Sequence, residues 1–410
     1  MQKSANTASW TALAIALAMT AASSATPAAA ATAACKASNR PVDVTDFGAT
    51  GDGKTDDSKA MQAAFDCLTS LAARQSSAAL HIPAGTYVVT APINVTISSD
   101  AASGGIAISG EGSGSSIILS RAEGEANTLT IVPKIKGRNR IGVDIQNLGL
   151  QRDGKGGTAI AVKPVVTGDR EMRTLLHLEA VKIGAASSGS YYDIGLDSTG
   201  LFLPSINGVA MSNVREACFA MGASCGPGIY SSSCSGAAVG VDIPFAGEGE
   251  EVEQSTFQDV GIGVRIALVQ GKASGPGPTS GTIAGNTIKA RKVGILISGK
   301  RSMALSRNTI TAAKGSTWDG GIRLTDAGQF IVSDNTISGN AGGSGITLAV
   351  GGSGGKRSGL QNLIAGNTLE NLATGIAVQA GLQETHVLDN RFDGVKQPVT
   401  DDGSGTIVRN

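Results

Sequence analysis

The sequence predicts an all-β solenoid, short parallel strands wound into stacked coils: a single-stranded parallel β-helix. Three observations carry this. First, a strand-and-turn unit recurs. Asn286-Thr287-Ile288 precedes Gly294-Ile295-Leu296-Ile297, and Asn308-Thr309-Ile310 precedes Gly321-Ile322-Arg323-Leu324. Asn335-Thr336-Ile337 and Asn367-Thr368-Leu369 stand in the same way before Gly345-Ile346-Thr347-Leu348 and Gly375-Ile376-Ala377-Val378. Asn390-Arg391-Phe392 opens a last copy, and Ser255-Thr256-Phe257 before Gly263-Val264-Arg265-Ile266 is a weaker early one. The asparagines lie 22, 27, 32 and 23 residues apart. A strand-rich repeat of that length, irregular only between its strands, means stacked coils. Second, short apolar runs such as Ile106-Ala107-Ile108 and Ile117-Ile118-Leu119 are separated by Gly, Ser, Asn and Asp. Third, the 410 residues include 57 Gly and only 3% aromatics, which suits tight turns and small stacking side chains better than a conventional core.

Each coil should rise about 4.8 Å, the spacing of strands in a sheet. Asparagine suits a recurring turn because it tolerates left-handed backbone and bonds locally, and stacked copies can bond from coil to coil. These asparagines therefore read as structural.

From the N-terminus, residues 1–34 read as an export signal, with Lys3, the apolar run Leu13 to Met19 and an Ala-rich end. The apolar core is too short to span a membrane, so a periplasmic or secreted protein with no transmembrane segment is expected. Export permits disulfides. Cys35 can pin the mature N-terminus to Cys67, and Cys218, Cys225 and Cys234 fall in one loop, most simply as one pair and one free thiol. Basic and acidic residues balance at 33 each with no charge run, so no nucleic-acid partner is expected.

One helix is expected, near 56–73. Thr55 can cap it, Asp56 and Asp57 favour its positive end, and Ala60, Ala64, Leu68 and Leu71 form one apolar stripe. With no second convincing helix downstream, that stripe must lie over the first turn of the β structure. Gly48 to Thr55 fits the phosphate-loop pattern, but Asp52 would repel phosphate and a tight turn explains every residue.

Val44-Thr45-Asp46-Phe47-Gly48-Ala49, Gly51-Asp52-Gly53-Lys54-Thr55-Asp56-Asp57 and Ile82-Pro83-Ala84-Gly85-Thr86-Tyr87 together resemble the N-terminal signature of the pectate-lyase-like superfamily. These are right-handed parallel β-helices that include polysaccharide lyases, glycoside hydrolases, epimerases and phage tailspikes. The resemblance implies one right-handed β-helix domain over 35–410, with an N-terminal cap at 35–92 and coils at 93–410. It implies no catalytic residue, because the signature forms the cap. The Gly-His-Gly and Asn-Thr-Asp motifs of the polygalacturonase type and the Asp-Pro-His of the alginate-epimerase type are missing. No Asp cluster resembles the calcium site of the pectate-lyase type, although Ca2+ is kept as the one candidate ion.

Chemistry should sit on the outer surface of the coils. In each Gly-Ile-x-Leu strand x points out. This gives a row of Asp242, Arg265, Leu296, Arg323, Thr347 and Ala377, with Lys163 and Phe202 assigned to similar sites upstream. Arginine matches the two oxygens of a uronate. The expected function is a secreted protein that depolymerises an acidic polysaccharide by lyase chemistry. Arg265 and Arg323 would neutralise the carboxylate, and Lys163, His177 or Tyr230 would be the base. Trp318 is a candidate sugar platform, with a packed loop anchor as its alternative, and Tyr191-Tyr192-Asp193 is a loop that can serve as acid, base or platform. A glycoside hydrolase would pair Asp242 with one of Glu248, Glu250, Glu251 or Glu253. A non-catalytic polysaccharide-binding β-helix is the third reading. An enzyme should bring Asp242, Arg265, Arg323 and a base into one cleft; a binder needs only a face with scattered charges.

Overall fold

The computed structural model describes residues 35, 40–75, 77–98, 104–136, 139–167, 174–222, 224–244, 249–267, 280–299, 302–326, 328–350 and 361–409. The expected export signal and Glu248 lie outside the described residues. The first coil consists of Ser77–Ile82, Gly85–Val89 and Ile93–Ser98, and the second of Gly104–Gly110, Ser116–Ser120 and Leu129–Lys136. Each strand pairs in parallel with its counterpart in the next coil, Ser77 with Gly105, Gly85 with Ser116 and Ile93 with Leu129. Three parallel faces result. Among the described residues the first face runs through fourteen strands, from Val42–Asp43 to Ile407–Arg409. Val42–Asp43 and Asp52–Asp56 already stack in parallel on the first coil, on Leu80–His81 and on Thr86 and Val88.

The repeated asparagines lie buried at the corner between the first and second faces. Asn286, Asn308, Asn335 and Asn367 each donate Nδ2 to Oδ1 of the next asparagine at 2.9 Å, ending at Asn390. The ladder continues upstream in serine, since Ser255 N donates to Asn286 Oδ1 at 2.9 Å and Ser232 N to Ser255 Oγ at 3.1 Å. One expectation needs correcting. The left-handed residue of the turn is the one before the ladder residue, as at Gln254, Arg307, Asp334 and Asp389. The asparagines hold the coil-to-coil bonds; their neighbours take the strained backbone.

The recurring glycine of the third face is set by packing. A Cβ on Gly294 would lie 2.4 Å from Ile310 Cγ2 and 2.7 Å from Gly321 O. Ile295 and Ile297 on either side of Leu296 are buried, leaving Leu296 to face out.

Helix α1 spans Ser58–Gln75 and buries Met61, Ala64, Phe65, Leu68 and Leu71 against the Ser77–Ile82 and Ile93–Ser98 strands. Its start differs from expectation. Thr55 does not cap it but donates its amide to Asp52 Oδ1 at 2.7 Å. Asp56 Oδ1 instead accepts from Ser58 N at 3.1 Å, while the buried Asp57 carboxylate turns back to hold Thr50 N at 2.8 Å. Gln62 exchanges two hydrogen bonds with the backbone of Asn94, at 2.8 and 2.9 Å, tying the helix to the edge of the third face. Cys35 pairs with Cys67 and Cys218 with Cys234, leaving Cys225 as a free thiol. Among the described residues no helix is long and apolar enough to cross a membrane.

Candidate functional site

The third face carries the expected row in continuous register, Asp242 beside Arg265, then Leu296, Arg323, Thr347 and Ala377. Its upstream members are Ala220, Asp197 and Ala161, not Lys163 and Phe202. Lys163 follows the Thr158–Val162 strand and reaches the row only through its Nζ, 2.9 Å from Asp197 Oδ2. Phe202 precedes a first-face strand, Ser205–Asn207, with the Arg140 guanidinium 5.5 Å from its ring centre.

The charges of the row are largely spent on one another. Arg265 grips Asp242 with both ends of its fork, Nε to Oδ1 at 2.7 Å and Nη2 to Oδ2 at 2.5 Å. That pairing with Asp242 raises the Arg265 pKa. Arg265 is thus held away from a uronate, and Asp242 is no free base. Arg323 is exposed, with no partner among the described residues.

The proposed bases do not join this row. His177 is on the first face, in register between Asp144 and Ser205, its Nε2 3.4 Å from Glu179 Oε2. Tyr230 is on the same face, beside Glu253 in register, and its phenol donates to Glu251 Oε2. Burial and that bond push the phenol well above its ordinary pKa of 10.0. Glu250 points inward and Glu251 and Glu253 outward on the first face, so none of these three pairs with Asp242. Trp318 is 6% exposed and packs against the turn at Gly343, so it is an anchor and not a sugar platform. Among the described residues no three His, Cys, Asp or Glu side chains come together to hold a metal, and no calcium site is seen.

A different cleft forms where the second face turns into the third. Tyr192 is buried there, its hydroxyl 2.8 Å from Thr128 Oγ1, and burial pushes its pKa up. Tyr191 stays outside. The Arg215 guanidinium stands 5.1 Å over its ring and donates Nη1 to its hydroxyl at 3.2 Å. Arg215 is paired with Asp193, Nη2 to Oδ1 at 2.8 Å, and with Glu216, Nη2 to Oε1 at 3.2 Å; Asp193 first and Glu216 after it raise its pKa. Asp193 in turn accepts the Gly157 amide through Oδ2 at 3.2 Å. Tyr191, Asn213, Arg215, Ser235 and Asp259 line a cleft of about 500 Å³. The guanidinium beside the Tyr191 oxygen is a cation that can receive a carboxylate. Sequence reasoning named Tyr191 but missed Arg215. The signal was present, because the two lie 24 residues apart, one coil length.

Residues 41–186 match the family described as "Rhamnogalacturonase A/epimerase, pectate lyase-like", and residues 242–410 match "Right handed beta helix region". The fold is similar to the A-module of mannuronan C-5 epimerase AlgE4 from Azotobacter vinelandii, with a TM-score of 0.67 and 19% identity over 90% of this chain and 100% of that one. The AlgE6 A-module from the same organism gives 0.61 and 17% over 90% and 100%. No curated protein matches the chain in sequence.

Proposed function

Because the chain belongs to the pectate-lyase-like superfamily, we propose that it is an exported protein acting on a uronate-containing polysaccharide by lyase chemistry, with Tyr191 and Arg215 as the reacting pair. The observation that carries this is the Arg215 guanidinium, which donates to the Tyr191 phenol while lining an open cleft. β-Elimination removes the proton beside the uronate carboxylate, and that carboxylate must first be neutralised. Arg215, positioned by Asp193, supplies the positive charge. The Tyr191 phenolate takes the C5 proton, the electron pair forms the C4–C5 double bond, and the glycosidic bond at C4 breaks. The leaving oxygen takes its proton back from Tyr191 when both bonds lie on one side of the ring. Arg323 extends the cationic surface for the polymer, and Asp242, Lys163 and His177 have no part in the reaction. Helix α1 acts as the cap of the stack, and the two disulfides fit an oxidising compartment.

A second reading, non-catalytic binding, is favoured by one observation: Lys163–Asp197 and Asp242–Arg265 neutralise each other along the third face. One experiment separates the readings. The purified protein is incubated with uronate polymers, with and without calcium, while the ultraviolet absorbance of unsaturated uronates and new reducing ends are followed together. Both signals rising is the expected result, with Tyr191→Phe and Arg215→Ala each lowering the rate about 100-fold or more. Reducing ends alone would mean hydrolysis. Inversion at C5 without cleavage would mean epimerisation, which shares the proton-removal step. Binding with no chemistry would establish the second reading.

A further inference from the structure

A larger hollow, of about 820 Å³, opens on the first face beside helix α1. Its floor is laid by small residues in register, Ser77, Gly105 and Gly142 in one row and Ala79 and Ala107 in the next. Leu71 and Gln75 of the helix wall one end, and Leu175, Leu203 and His177 the other.

Three features are unexplained by folding. A Cβ on Gly142 would meet nothing nearer than the Gly104 oxygen at 4.0 Å, so packing does not demand glycine there; its absent side chain keeps the hollow clear. Leu203 is 54% exposed and holds a left-handed backbone, φ 46°, which strains a bulky side chain. Asp144 lines the hollow with a buried Oδ1 that has no hydrogen-bond partner among the described residues, while its Oδ2 accepts Gln146 Nε2 at 3.1 Å. A buried carboxylate oxygen without a donor is costly, and the fold leaves that cost unmet.

We propose that this hollow is a second saccharide site, selective for uncharged sugars and separate from the Tyr191–Arg215 cleft. The charges decide the class. Arg40 in the lining is already paired with Asp46 at 2.6 Å, while Asp144 and the nearby Glu179 repel a uronate. A neutral pyranose offers a C–H face to the alanine and glycine floor and hydroxyl donors to Asp144, with His177 and Ser205 at the same end. The site does not depend on the chemistry assigned to Tyr191.

The test titrates the full chain with neutral gluco- and galacto-oligosaccharides, with oligouronates as competitors. A neutral oligosaccharide should bind, oligouronates should not displace it, and Gly142→Leu should weaken it about tenfold or more while leaving uronate turnover unchanged. Gly142→Ala, whose Cβ enters open space, guards against misfolding. Leu203→Asn should keep or raise the melting temperature while weakening binding, which a purely structural leucine would not do. The proposal is overturned if no neutral saccharide binds at millimolar concentration, if Gly142→Leu and Leu203→Asn leave binding intact, or if oligouronates compete equally.

Discussion

Asn335 illustrates how much one buried side chain can carry. Its Nδ2 donates to Asn367 Oδ1 and Leu305 O, each at 2.9 Å, and its Oδ1 accepts both Asn308 N at 3.0 Å and Asn308 Nδ2 at 2.9 Å. Asn335→Ala leaves several of those groups buried and unsatisfied, at about 1–3 kcal/mol each. A loss of about 3 kcal/mol or more is expected in denaturant unfolding, whereas Thr336→Ala on the exposed surface should change little. Equal effects from the two substitutions would refute the ladder as a stabilising device. The structural role of Asn335 was readable because it repeats. The strained residue before it was not, because Gln254, Arg307 and Asp334 share no side-chain chemistry. At the same scale, Asp56 is held below the ordinary carboxylate pKa of 3.8 by hydrogen bonds from Ser58 first and Thr90 next, against the opposing pull of burial. A depressed pKa stabilises above the unfolded value and is lost as pH falls through the folded one. Stability should therefore decline as pH drops below about 3.8, and Asp56→Asn should flatten that part of the acid-unfolding curve. An unchanged acid limb would mean that Asp56 is not among the groups responsible.

At the level of the strand, two glycines give opposite forecasts. Gly294 sits where a Cβ would strike Ile310 and the Gly321 carbonyl, so Gly294→Ala should cost about 2 kcal/mol through overpacking. Gly142 opens onto the hollow, so Gly142→Ala should be nearly neutral. Thermal melting of the pair checks this, and similar shifts would contradict the packing account. The contrast also explains what the sequence revealed. Gly294, Gly321, Gly345 and Gly375 are fixed by the same contact in successive coils, so the Gly-Ile-x-Leu signature recurs and gives the register of Asp242, Arg265 and Arg323. First-face strands such as Ser205–Asn207 and Gly228–Tyr230 are three residues long and carry no such signature. Alternation with Leu176 and Leu178 places His177 on an outer surface but does not say which one, and Tyr230 has no such pattern around it. That gap is why the expected cleft drew together residues from different faces, and why Arg215 was passed over.

Over the whole molecule the period of the stack was legible, and so was the helix beside its first coil. In a solenoid each coil touches only its neighbours, so stability is close to a sum of local terms. The two ends differ in those terms. The first coil is covered by helix α1, fastened by the Gln62–Asn94 bonds and by a disulfide closing a separation of 32 residues. The last described strand, Ile407–Arg409, leaves Ile407 and Val408 more than 40% exposed, and no helix covers it among the described residues. Amide exchange of this chain should therefore be slowest through the central coils and fast over 385–409, with the first coil protected. Cys67→Ser removes a cross-link worth about 3–4 kcal/mol for a loop of that length. If the terms are local, exchange should accelerate by roughly two to three orders of magnitude over residues 58–98 and stay unchanged over 385–409. Acceleration of equal size in every coil would show instead that the stack unfolds as one cooperative unit, and that α1 and its disulfide secure the whole solenoid and not only its first turn.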